Sequence, residues 1–119
     1  DGSAMNNKNA ARNAEIIAAF DDILSWYRAH GLLERCRNEL TFLAIEHLLI
    51  AATVRVLLID RRSPLIGQFR DYMEKNFPDF RTNPHLPLLD GNRRLIYRLL
   101  LGKHYGTVRL IFRVKNRLK

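Results

Sequence analysis

Glu46 and His47 stand side by side in an apolar run, and an acid beside an imidazole can in principle exchange protons as a general acid–base pair. Neighbouring residues on a helix point in diverging directions, so the two side chains would not face each other. The simpler expectation is a core histidine hydrogen-bonded to a neighbouring helix, with Glu46 paired to a basic side chain there. The four histidines, His30, His47, His85 and His104, include no pair at i, i+3 or i, i+4, the spacing at which one helix presents two metal ligands. Cys36 lies between Arg35 and Arg37, whose charges could favour the thiolate, but no imidazole sits one helical turn away and a structural role is expected. Ser25 and Ser63 lack a Gly-x-Ser-x-Gly elbow, no glycine-rich loop opens a helix, and Asp21-Asp22 fall on the solvent side of theirs. These tests yield no catalytic or metal-ligating residue.

The chemistry left is that of charge. Residues 1–91 carry 11 basic and 12 acidic side chains, whereas residues 92–119 carry nine basic side chains and no acidic one. Among them Arg109, Arg113 and Arg117 recur at i, i+4 and i+8, with Tyr105, Val108, Ile111 and Phe112 on another face. That is a cationic amphipathic helix. It suits an anionic bilayer interface, where basic side chains reach headgroups and apolar ones enter the acyl boundary, each basic residue adding about 1 kcal/mol. The anion-binding set expected on these grounds is Arg93, Arg94, Arg98, Lys103, Arg109, Arg113, Lys115 and Arg117. A second reading has the apolar face pack on the helical body and the arginines form only a solvated face. A third, duplex nucleic acid, fits less well: the segment is rich in leucine, and its basic face lacks the Asn or Gln side chains that read bases.

The elements that would position these residues are helices. Ile16, Ile17, Phe20, Ile23, Leu24 and Tyr27 repeat at helical spacing over 13–30, and Gly31 supplies a stop. Residues 32–60 contain neither Gly nor Pro, and Leu40, Leu43, Ala44, His47, Ala51, Val54 and Leu58 form one apolar stripe, with a break expected near Arg35–Arg37. Phe42 to Ile59 is apolar enough to raise a membrane span, but Glu46, His47 and Arg55 interrupt it, so a central core helix is expected. Ser63-Pro64 opens a third helix that Pro78 closes; residues 78–87 read as an extended connector; Asp90 caps a helix over about 91–102; a last helix follows Gly102–Gly106. No convincing alternating run marks a strand. The expected fold is all-α, about five helices around a long central one, ending in a cationic amphipathic helix.

At 119 residues with 47% hydrophobic composition the chain makes one domain with a real core. Within it, residues 1–12 are expected to be a non-native remnant and a disordered lead, 13–91 a helical body, and 92–119 the basic helices of the same unit. A single cysteine and no signal-peptide pattern at the start point to the cytoplasm.

Several short motifs in order resemble a known family. They are Trp26-Tyr27, Glu39-Leu40, Ile45-Glu46-His47-Leu48-Leu49, Arg55, Phe77-Pro78-Asp79-Phe80 and Asn83-Pro84-His85-Leu86, followed by the basic tail. Together, over about residues 20–105, they resemble the helical C-terminal region of bacterial family 2 glycosyltransferases of capsular and cell-surface polysaccharide synthesis. The resemblance implies a parent enzyme that moves sugar from a nucleotide-sugar to a cell-surface glycan at the inner face of the membrane. The nucleotide-sugar site, the divalent metal and its Asp-x-Asp motif would then lie in an upstream α/β domain, and no Asp-x-Asp occurs in these residues. On that resemblance Glu46, His47, Arg55, Phe77, Pro78, Asn83 and Pro84 are structural pattern residues. The partners implied are the upstream catalytic domain and an anionic membrane surface; the rival expectation is a protein-interaction module whose apolar tail buries in a partner or in a second copy of the chain.

Overall fold

The computed structural model describes the backbone of residues 2–117 and the side chains of residues 15–115. It is all-helical: α1 (Gly2–Ala29), α2 (Arg37–Ile59), α3 (Pro64–Asn76), α4 (Gly91–Leu101) and α5 (Tyr105–Arg117), with no strand among the described residues. Two short 3₁₀ turns, Phe80–Thr82 and Leu86–Leu88, fold the connector between α3 and α4.

The helix ends follow from local chemistry. Gly31 takes a left-handed φ of 67°, and the amides of Gly31 and Leu32 turn back to the carbonyls of Arg28 and Tyr27, closing α1 with a Schellman motif. Ser63 caps α3 by accepting from the Leu65 amide at 3.2 Å, and Asp90 caps α4 by accepting from the Arg93 amide at 2.8 Å. The C-terminus of α4 repeats the motif of α1 with a lysine in the left-handed position, Lys103 at φ 60°. A Cβ at Gly102, one residue earlier, would sit 2.7 Å from the exposed His104 ring, so a larger residue there would require that side chain to shift. One helix runs longer than its pattern suggests: α1 starts at Gly2, not near 13, so residues 2–12 continue a helix where a disordered lead was expected. Alanines among the asparagines and the absence of proline sustain it.

α2 is the axis of the fold, and each of the other four helices packs on it. By length and composition alone Arg37–Ile59 could cross a bilayer, but 56% of its most apolar window is buried against the protein, as a core helix requires. Its middle, Ile45–Ala52, is wound more widely, in the i→i+5 π form, and the buried Thr53 hydroxyl lies 3.4 Å from the Leu48 carbonyl five residues back. The wide stretch changes which side chains face inward. The buried rows are Leu40, Ala44, Leu48, Ala52, Val56 and Thr41, Ile45, Leu49, Thr53, Leu57, a repeat of four residues. A regular α-helix repeats every 3.6 residues, so the stripe drawn through His47, Ala51 and Leu58 falls out of phase. His47 is exposed, correcting the expectation of a core histidine, and Leu58 is 38% exposed.

The other helices lay their apolar faces against this axis. Phe20 and Leu24 come from α1, Leu65, Ile66, Phe69 and Met73 from α3, Ile96 and Leu100 from α4, and Val108 from α5, with Phe77 and Phe80 sealing the end near the connector. Two polar contacts cross between helices. The Tyr72 hydroxyl donates to Asp21 on α1 at 2.7 Å, and burial followed by that acceptor and its charge raises the phenol's pKa well above its ordinary value. Arg70 on α3 donates to the carbonyls of Leu100 and Leu101 at 3.2 and 3.1 Å, satisfying the open end of α4 with a cation where the helix dipole favours one. Arg70→Met should therefore lower unfolding free energy by about 1.5–3 kcal/mol, the usual worth of hydrogen bonds from a charged donor, as read by urea denaturation.

Candidate functional site

The basic residues do not form one stripe; the fold distributes them over three places. At the first, Arg55 of α2, Arg93 of α4 and Lys115 of α5 rim an apolar groove of about 420 Å³ that contains Val54, Ile96, Ile111 and Phe112. Acidic groups already occupy much of this charge: Arg93 meets Glu46 at 2.8 Å and lies 4.0 Å from Asp90. At the second, Arg94 and Arg98 line a pocket of about 280 Å³ with Tyr97 and the turn around Leu86–Leu88. At the third, Arg109 and Arg113 of α5 line a groove of about 260 Å³ with Arg61, Gly106 and Leu110, and no carboxylate is among its walls. The Nε of Arg109 is buried there without a hydrogen-bond partner.

The third place is formed by two chain segments. α5 carries it because its backbone is fixed from the other side: Val108 is fully buried, and Tyr105, Ile111 and Phe112 pack half-buried against the core. The apolar face read from the sequence is thus turned inward. What α5 presents outward is a different pair, Leu110 and Val114, 61% and 50% exposed and one turn apart, beside Arg113. The end of α2 that packs on α5 leaves Leu58 and Ile59 more than one third exposed, and Arg61 follows two residues later. The surface combines guanidinium groups with uncovered aliphatic side chains. Arg117 belongs to α5, but its side chain lies outside the described residues, as does Lys119.

Arg61 is the functional candidate that sequence reasoning missed. It lies in the segment whose net charge is close to zero, and counting charge along the chain hides a residue that folding carries to the basic helix. The available signal was the pair Arg61-Arg62 directly after an apolar helix. Lys103 is exposed in its left-handed turn and shares none of the three places.

Of the remaining pattern residues, some are held by packing or hydrogen bonds and the others lie on the surface. Glu46 pairs with Arg93 of α4. Asn83, 6% exposed, donates from Nδ2 to the Asn38 carbonyl at 2.9 Å and accepts the His85 amide at 2.8 Å, tying the connector to the start of α2. Phe77 is buried, whereas Pro78, Pro84, His47 and Arg55 are exposed. Cys36 is half-buried at the cap of α2 and packs on the core. Glu74 and Arg81 close the first 3₁₀ turn; the guanidinium hydrogen bond holds the Glu74 carboxyl below its ordinary pKa. Among the described residues no three His, Cys, Asp or Glu side chains gather as a metal ion would need. Compared with known proteins, the chain matches no family model, no curated protein and no solved structure.

Proposed function

We propose that this domain docks on an anionic membrane surface through the face formed by α5 and the end of α2. The observation that carries the reading is the juxtaposition of Arg61, Arg109 and Arg113 with the exposed Leu110, without a carboxylate in the groove they share. A solvated face would have no use for exposed Leu110 and Val114 among arginines, and a nucleic-acid face would favour polar side chains in their place. At a bilayer both features contribute: guanidinium groups meet lipid phosphates, and the aliphatic side chains leave water for the acyl boundary. Val108, Ile111 and Phe112 hold the helix to the core, so docking would need no detachment of α5.

Combined with the family resemblance of the motifs, the reading extends to a role. The domain would hold an upstream sugar-transferring α/β domain, which would supply the nucleotide-sugar and divalent-metal sites, at the inner membrane face where a cell-surface glycan is built. The helical unit itself would contribute position rather than chemistry.

The test is co-sedimentation with vesicles of phosphatidylglycerol or of phosphatidylcholine at low and high salt. The intact chain should bind the anionic vesicles and release them as salt rises. Leu110→Ser with Val114→Ser should weaken that binding by about tenfold or more, because two aliphatic side chains no longer leave water. Equal binding by the double variant, or salt-sensitive binding to duplex DNA in place of vesicles, would overturn the reading.

A further inference from the structure

The groove at the first basic place takes no part in membrane docking. Ile111, Phe112 and Lys115 line it, and helical spacing puts them on the opposite side of α5 from Gly106, Arg109, Leu110 and Arg113. Its polar and apolar groups are sorted by depth. Val54 on α2 and Ile96 on α4 are buried, Ala51, Ile111 and Phe112 are half-buried, and the charged side chains at the mouth, Arg55, Arg93 and Lys115, are exposed. Ala51 contributes only a methyl group to the wall, which leaves room where α2, α4 and α5 pack on one another. Leu95, 49% exposed, lines the same groove and leaves an aliphatic side chain uncovered at its edge.

A volume of about 420 Å³ falls within the range of small-molecule sites, about 300–1,000 Å³, and the walls expose a small fraction of the roughly 800 Å² that a protein partner covers. The floor is aliphatic apart from one ring and offers no polar side chain, so a hydrocarbon chain suits it better than a heteroaromatic ligand, whose ring atoms would go unpaired. The mouth has charge to spare for one anionic group. Arg93 is engaged by Glu46 at 2.8 Å, and Asp90, the one carboxylate lining the groove among the described residues, accepts the Arg93 amide at 2.8 Å as the cap of α4. Lys115 makes no ion pair with a described carboxylate, and its ammonium lies 6.0 Å from the centre of the Phe112 ring, at the edge of the apolar wall. We propose that this groove binds a single-chain amphiphile with one negative charge, a fatty-acid carboxylate, its head on Lys115 and its chain laid over Val54, Ile96 and Ile111 beside Leu95.

Calorimetric titration of the intact chain with octanoate, decanoate and dodecanoate, each below its micelle concentration, tests this. Decanoate should bind one molecule per chain and raise Tm, and affinity should change about fourfold for each methylene added or removed. Decanol, with no charge, and decyltrimethylammonium, with the opposite one, should bind about tenfold more weakly or worse. Lys115→Gln should weaken decanoate binding about tenfold and leave decanol binding unchanged, a split that a loss of fold would not produce. Ala51→Leu, which fills the groove with a side chain, should abolish decanoate binding and leave the ligand-free Tm unchanged or higher. Leu110→Ser with Val114→Ser should not alter decanoate binding, which separates this site from the docking face. No saturable binding, equal binding of the cationic amphiphile, or binding that Lys115→Gln and Ala51→Leu leave intact would overturn the proposal. So would a dimer of the ligand-free chain that Ala51→Leu dissociates, because a second copy would then cover the groove.

Discussion

Arg61→Glu with Arg113→Glu should reduce binding to anionic vesicles by about a thousandfold. Each basic side chain near such a surface is worth about 1 kcal/mol, so replacing two cations by two anions removes two attractions and adds two repulsions of similar size. Both residues are exposed, so the exchange should leave the helical circular dichroism signal and Tm close to those of the parent chain. Arg61 is the informative member of the pair. It lies outside the basic C-terminal segment, so a loss traced to Arg61 alone identifies the folded groove as the binding element, whereas a loss traced only to Arg113 would leave a simple basic helix. Comparable effects from each single variant are expected, together with a shallower salt dependence for both.

The largest effect on stability is expected from Phe69→Ala. The Phe69 ring is fully buried on the face of α3 that meets α2, with Met73 one turn further along, also fully buried. Removing such a ring costs about 3–5 kcal/mol, a transfer loss plus a cavity that rigid neighbours fill only in part. Whole domains are stable by about 5–15 kcal/mol, so the variant should melt far below the parent chain and unfold at much lower urea concentration. Leu88→Ala, at a side chain 72% exposed, should change stability by less than about 0.5 kcal/mol and serves as the control.

The helices were legible because their ends are written locally: Gly31, Ser63-Pro64, Asp90 and the Gly102 turn each mark a boundary in the structure. Two things were not. The facing of α2 misled because periodicity assumes a uniform helix; the wide stretch at Ile45–Ala52 turns His47 outward, and nothing local in the apolar run Ile45-Glu46-His47-Leu48-Leu49 announces it. The candidate sites misled for a different reason. Amphipathic spacing on α5 correctly separates Val108 and Ile111 from Arg109 and Arg113, but it cannot say whether the apolar face meets protein or lipid. Only the packed neighbours decide that, and they assign the face to the core.

The wide stretch of α2 also bears on how this chain can vary in length. A helix whose hydrogen bonds close on the fifth residue accommodates about one residue more, over a few turns, than a regular helix joining the same two ends in the same orientation. The central helix therefore carries a surplus position, and its flanks, Arg37–Ala44 and Thr53–Ile59, are regular α-helix. Deleting one exposed residue of the stretch, such as His47, would let the middle tighten to the ordinary winding while both flanks keep their facing. The same deletion in either flank would rotate every core residue beyond it by about 100°, burying charge and exposing leucine. Homologous chains should accordingly differ by a single residue inside Ile45–Ala52 and keep a fixed count on either side of it.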